Sequence, residues 1–181
     1  GFPGENVWTP SFLRSVLTYR ILRESGVSAP YSFHVHVIQN GFFYGLCAME
    51  EQIDKRFLKR NGLAQEGSLY KAHRIGNWLA RIPEGGWRKI FPENEDFSNL
   101  ANFVQGISPS NSVVEREKFI FDNVNIPGVI NYLAAYSIAA NHDRLQHNYY
   151  MHMDPNSGEW TIIPWDVDRA FPEGGTLSHQ S

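Results

Sequence analysis

Apolar side chains recur at helical spacing near the start of the chain, at Phe12, Leu13, Val16, Leu17, Ile21 and Leu22. This predicts a helix opened by Thr9-Pro10 and closed at Gly26. The period then shortens. Residues 31–39 and 42–49 read as strands, and Asn40-Gly41 between them predicts a hairpin, because a two-residue turn needs positive φ at both positions. A short amphipathic helix is expected over 51–59, ending at Asn61-Gly62. Residues 67–92 are rich in glycine, proline and tryptophan and predict an irregular connection. Helices follow over 97–104, over 113–121 behind the Ser112/Glu115 capping box, and over 127–140. The last of these carries Val129, Ile130, Leu133, Tyr136 and Ile138, a near-continuous apolar run. It predicts a buried helix with Leu133 and Ile138 among its least accessible residues. A second hairpin, over 147–153 and 160–163, turns around Asp154-Pro155-Asn156-Ser157-Gly158.

Composition narrows the class. The 181 residues are 42% hydrophobic and 14% aromatic, enough for one folded domain with a core. A formal charge of −3 gives no electrostatic case for nucleic acid, and no run of 18 apolar residues predicts a membrane span. Cys47 is the only cysteine, which excludes an internal disulfide framework and a cysteine-based zinc site.

The chemistry concentrates near the end of the chain. Asn148 follows Asp143 by five positions, the interval of a protein-kinase catalytic loop. The second hairpin then leads into Pro164-Trp165-Asp166-Val167-Asp168. This is where a kinase carries its metal-binding aspartate. In that pattern Asp143 is the catalytic base, and Asn148 and Asp166 hold Mg²⁺ or Mn²⁺ against the phosphates of ATP. Asp168 is either a second metal ligand or a partner of Arg169. Asn141 and His142 stand where histidine and arginine precede a kinase aspartate, and Leu145 occupies a common lysine position. Arg144 or His147 could supply compensating charge. Glu50 and Glu51 fall where a kinase hinge runs, a cofactor-binding position, though two acids at a helix start read equally well as solvated. Lys71 either contacts phosphate or caps a strand.

The element order, a helix, a hairpin, a helical lobe, a catalytic loop and a second hairpin, predicts an α+β fold that is part of a protein-kinase-like domain. Residues 1–60 would end the N-lobe-like part and its hinge-like segment; residues 61–181 would form the helical lobe with the catalytic loop and metal motif. The chain reads as a fragment of a longer protein, with the phosphate-gripping lysine expected upstream of residue 1 and no turnover expected from the fragment alone.

Several stretches carry a family resemblance: Leu69-Tyr70-Lys71, Asn141-His142-Asp143, His147-Asn148-Tyr149-Tyr150, Ile163-Pro164-Trp165-Asp166-Val167-Asp168, and Asn40-Gly41-Phe42-Phe43-Tyr44-Gly45 leading to Met49-Glu50-Glu51-Gln52-Ile53-Asp54. In these the chain resembles the spore coat protein H (CotH) kinase-like proteins. The resemblance implies an atypical, magnesium-dependent protein kinase that transfers the γ-phosphate of ATP to Ser/Thr hydroxyls of protein substrates. It also implies a spore-coat, cell-surface or secreted location. Two other readings stay open: a non-catalytic surface or coat protein that keeps the fold to bind a partner, and a metal-dependent phosphodiesterase using Asp143, His147, Asp166 and Asp168.

Overall fold

A computed structural model describes residues 13–73, 86–93, 96–141 and 147–172. Among them are five helices and six strands in two antiparallel sheets, an α+β architecture. Helix α1 (Leu13–Glu24) ends in paired backbone bonds, Gly26 N–H to Arg23 O and Val27 N–H to Leu22 O. Its buried residues are Thr18, Tyr19 and Leu22, whereas Leu13 and Leu17 of the predicted apolar stripe are exposed. The expected N-cap Thr9 lies outside the described residues.

Strands β1 (Ser32–Gln39) and β2 (Phe42–Glu50) form the first hairpin, with Asn40 and Gly41 at φ +53° and +82° as the turn requires. Among the described residues this two-stranded sheet pairs with no further strand, and it leaves Phe33, Phe42, Phe43 and Met49 exposed. Helix α2 (Lys55–Arg60) is shorter than its sequence pattern predicts. It starts only where the Asp54 carboxylate accepts the N–H groups of Arg56 and Phe57.

The larger sheet overturns the expectation of an irregular connection at both ends of the stretch 67–92, whose residues 74–85 lie outside the described residues. Strands β3 (Ser68–Ala72) and β4 (Trp87–Phe91) form there and join the second hairpin, β5 (Tyr149–Met153) and β6 (Trp160–Pro164), in the order β4-β3-β5-β6. Both faces of this sheet are covered. Tyr70, Trp87, Tyr149 and Met151 pack with Leu100 and Phe103 of α3 (Ser98–Gly106) on one side. Leu69, Tyr150 and Ile163 pack with Phe57 and Leu58 of α2 on the other. A strand buried on both faces shows no polar alternation, so β3 carries no period-2 signal. Gly67, just before β3, has no room for a side chain: a Cβ there would lie 2.3 Å from His152 Nε2 and 2.5 Å from the Met153 carbonyl oxygen.

Helix α4 (Val113–Asn123) begins with the expected reciprocal capping box between Ser112 and Glu115. Helix α5 (Ile126–Ile138) buries Tyr132, Ala135 and Tyr136 against Tyr19 and Leu22 of α1. Leu133 and Ile138 are 43% and 69% exposed, contrary to expectation. Because α5 is mostly apolar, with Asn131 and Ser137 its only polar side chains besides two tyrosines, its sequence gives little contrast to say which face meets α1. None of the described helices is long and apolar enough to cross a membrane.

Candidate functional site

The β5–β6 hairpin fixes the centre of the site. Tyr149 pairs with Pro164, and one step beyond them the Trp165 N–H donates to Asn148 O at 3.0 Å. Asn148 and Asp166 therefore flank the mouth of the hairpin. The strand stops at Pro164, so Asp166 and Asp168 lie beyond it, in a loop. Instead the loop is pinned at three points. Val167 is fully buried between α1 and α5, Ala170 is also fully buried, and Phe171 N–H donates to Ala139 O at 2.7 Å at the end of α5. With Val167 driven inward, Asp166 and Asp168 are presented to solvent on either side of it.

Backbone strain gathers in the same place. Among the described residues, five that are not glycine have positive φ, and one of them, Asn40, is the hairpin turn. The other four, Ala140, Asn148, Asp166 and Phe171, belong to the segments that meet here. Such conformations cost about 1–3 kcal/mol each and persist where surrounding packing enforces them. Asn and Asp tolerate the left-handed region best, which suits positions 148 and 166.

Charged groups converge from elements far apart in sequence. Glu50, at the end of β2, is half-buried. Burial pushes its carboxyl above the ordinary glutamate value, the charges of Asp166 and Asp168 push the same way, and hydrogen bonds from Ser15 and Tyr19 oppose them. Lys71 on β3 brings the opposite charge. Its ammonium lies 5.2 Å from the Trp165 ring centre and 5.4 Å from that of Tyr150. Burial, with Arg88 beside it, lowers the Lys71 pKa, and Asp166 works against that shift. Trp165 thus packs beneath the site, as a bulky apolar residue before an acid would, and also under the lysine.

Glu51 is placed differently from Glu50. Its carboxylate accepts Arg60 Nε at 3.0 Å and the Tyr31 N–H at 2.9 Å, so it holds the start of β1 to α2. A cleft of about 390 Å³ opens beside it, lined in part by Arg23, Val27, Tyr31 and Arg60, and touches none of the residues around Asp166. Asp143 lies outside the described residues. The described chain leads towards it through Asn141, which is buried and whose N–H donates to Tyr136 O at 3.2 Å.

One contributor escapes sequence reasoning altogether. Tyr19 of α1 is fully buried, accepts the Asp166 N–H at 3.1 Å and reaches Glu50 Oε2 at 3.5 Å. Only its helical spacing to Leu22 could have marked it, and then as core. Among the described residues no three His, Cys, Asp or Glu side chains form a ready-made metal cage. The oxygen donors at hand, Asp166, Asn148 and Asp168, suit a hard divalent cation that takes one or two protein ligands and fills its shell with water and phosphate.

Comparison with known proteins gives the family. The family model described as CotH kinase protein matches residues 5–177, nearly the whole chain. The inner spore coat protein H of Bacillus subtilis (strain 168) is 24% identical over 175 residues. That alignment covers 90% of this chain but 47% of the relative, so the chain spans about half the relative's length. The match across residues 5–177 takes in both hairpins, the buried helix and the acidic loop, and the chain belongs to the CotH kinase protein family.

Proposed function

We propose that the protein carrying this chain is an atypical, magnesium-dependent protein kinase of kinase-like fold, transferring the γ-phosphate of ATP to Ser/Thr hydroxyls. The observation that carries this reading is the strained, pinned loop that holds Asp166 in the open beside Asn148, with Lys71 facing it. Membership of a family described as CotH kinase supports it, and the name of the Bacillus relative points to a spore coat as the place of action.

In this reading Asp166 and Asn148 are the residues that hold the ion, and Asp168 stands ready as a further ligand. Bound there, magnesium would neutralise phosphate charge. Lys71 adds positive charge on the same side, partly desolvated and therefore less screened than a surface lysine. Asp143 orients the acceptor hydroxyl and takes its proton. Phosphoryl transfer asks little covalent chemistry of the protein, so positioning and charge are sufficient tasks for these side chains. Glu50 belongs with the acids of this centre rather than with a hinge contact to the nucleotide base.

The test is nucleotide binding and radiolabelled phosphate transfer by the intact protein, with and without Mg²⁺. Wild type should bind ATP only with the ion present, and Asp166→Ala should lose both binding and transfer. Equal ATP binding by wild type and Asp166→Ala would sink the reading and leave a coat protein that uses the fold to bind a partner.

A further inference from the structure

We infer that Tyr19 is a positioning residue, a hydroxyl strut from α1 that joins Glu50 to the backbone of Asp166 and sets how the Asp166 carboxylate is presented. This deepens the proposed function and rests on it for its catalytic meaning. Tyr19 is fully buried among Leu22, Tyr132, Tyr136 and Val167, so its ring cannot swing away. From that socket its oxygen accepts the Asp166 N–H at 3.1 Å, across 147 residues of sequence, while its proton points to Glu50 Oε2 at 3.5 Å. The residue it holds is one of the four strained positions, at φ +52°, and Val167 next to it is locked into the same cluster as the tyrosine ring.

A tyrosine that merely filled the core would send its hydroxyl to solvent or to a nearby carbonyl. This one meets the metal-motif residue on one side and a carboxylate of the same centre on the other. One hydroxyl serves both groups, its oxygen accepting the Asp166 N–H and its proton directed at Glu50. The arrangement makes the seat of α1 part of the site: a shift of that helix would move the Asp166 backbone directly.

The intact protein carrying Tyr19→Phe tests this, with Mg²⁺ and ATP as probes. The variant keeps the ring and should unfold near the wild-type temperature. Its half-saturating Mg²⁺ for ATP binding should rise about five- to tenfold, the loss expected for one hydrogen bond close to a charged ligand. Amide exchange at Asp166 should quicken. If wild type binds Mg-ATP and Tyr19→Phe binds it at the same Mg²⁺ midpoint, the inference fails while the proposed function stands. If wild type binds no Mg-ATP, the proposed function fails, and unchanged exchange at Asp166 in Tyr19→Phe would then overturn the strut as well. Should Tyr19→Phe not fold, Glu50→Ala and Glu50→Gln decide the matter. Both remove the charge, but only glutamine still accepts the Tyr19 proton, so glutamine should restore most of what alanine loses. Equal damage in the two would mean that charge, not the strut, matters.

Discussion

His152 shows how one buried polar side chain makes stability depend on pH. It sits on β5, almost completely buried, with Nε2 at 2.8 Å from the Ala64 carbonyl oxygen. Nε2 carries the proton, because a carbonyl only accepts. Burial lowers its pKa, and the bond to Ala64 and the charge of Asp154 oppose that shift only in part. A depressed histidine means that the unfolded chain binds the proton more readily than the folded one. Its stabilising contribution is therefore present above the unfolded value, about 6.5, and is lost as pH falls through the lower folded value. The denaturant midpoint should drop as pH falls below the unfolded value of about 6.5, and His152→Gln should flatten that drop. An unchanged slope in the variant would assign the acid sensitivity to other groups. The close approach at Gly67 belongs to the same feature, since the ring occupies the space a side chain there would need.

At the level of elements, α1 and α5 separate what periodicity can say from what packing decides. Helix α5 buries Tyr132, Ala135, Tyr136 and Ala139, spaced i, i+3, i+4 and i+7, while Ile130, Leu133 and Ile138 face outward. Leu22→Ala should accordingly cost about 2–5 kcal/mol of stability, because the fully buried leucine would leave a cavity between the helices. Leu133→Ala should stay within about 1 kcal/mol. Chemical denaturation of the two variants side by side checks this, and a larger loss at Leu133 would mean that its exposed face is covered. Both hairpins, the Ser112 capping box and the boundaries of α5 were legible because each has a local chemical signature: Asn-Gly in a tight turn, a side chain closing a helix end, proline in a first helical turn. Strand β3 was not, since a strand covered on both sides loses the alternation that would announce it, and the edge strand β4 sets Arg88 and Lys89 side by side and so does not alternate either. The outward face of α5 was hidden for the complementary reason: a mostly apolar helix offers little contrast. The acids at 166 and 168 and the asparagine at 148 were singled out from their spacing and motif, and the structure places Asn148 and Asp166 at the two sides of the hairpin mouth. Glu50 and Lys71 were noticed without their place being known, and Tyr19 was missed, because only tertiary structure brings them to the loop: β2 ends in Glu50, β3 carries Lys71 beside β5, and the packing of α1 on α5 seats Tyr19.

For the whole molecule, the proposed function turns on a division between residues that would hold an ion and a residue that would act on the acceptor. Alanine at position 166 tests the whole site, but not the carboxylate charge by itself. The backbone there is left-handed, and a residue with a Cβ but no polar side chain pays about 1–2 kcal/mol to stay in that region. Asp166→Ala therefore mixes loss of a carboxylate with relaxation of the loop that Val167 and Phe171 pin. Asp166→Asn keeps the tolerance for positive φ and the shape while removing the charge, and it should still lose most Mg-dependent ATP binding. Asp143→Asn should behave in the opposite way: ATP binding near wild type, with turnover reduced about 10²–10⁴-fold, because a group that orients and deprotonates the acceptor hydroxyl makes no contact with the nucleotide. Asp168→Asn should weaken Mg²⁺ binding if that carboxylate is a second ligand, and should alter only thermal stability if it serves Arg169. Equilibrium binding and single-turnover transfer on the same intact protein separate these outcomes. If Asp143→Asn instead loses ATP binding as completely as Asp166→Asn, the two acids act as one metal site. The division of labour between base and ligand would then be wrong, and the dinuclear phosphodiesterase reading would fit better, with two ions about 4 Å apart.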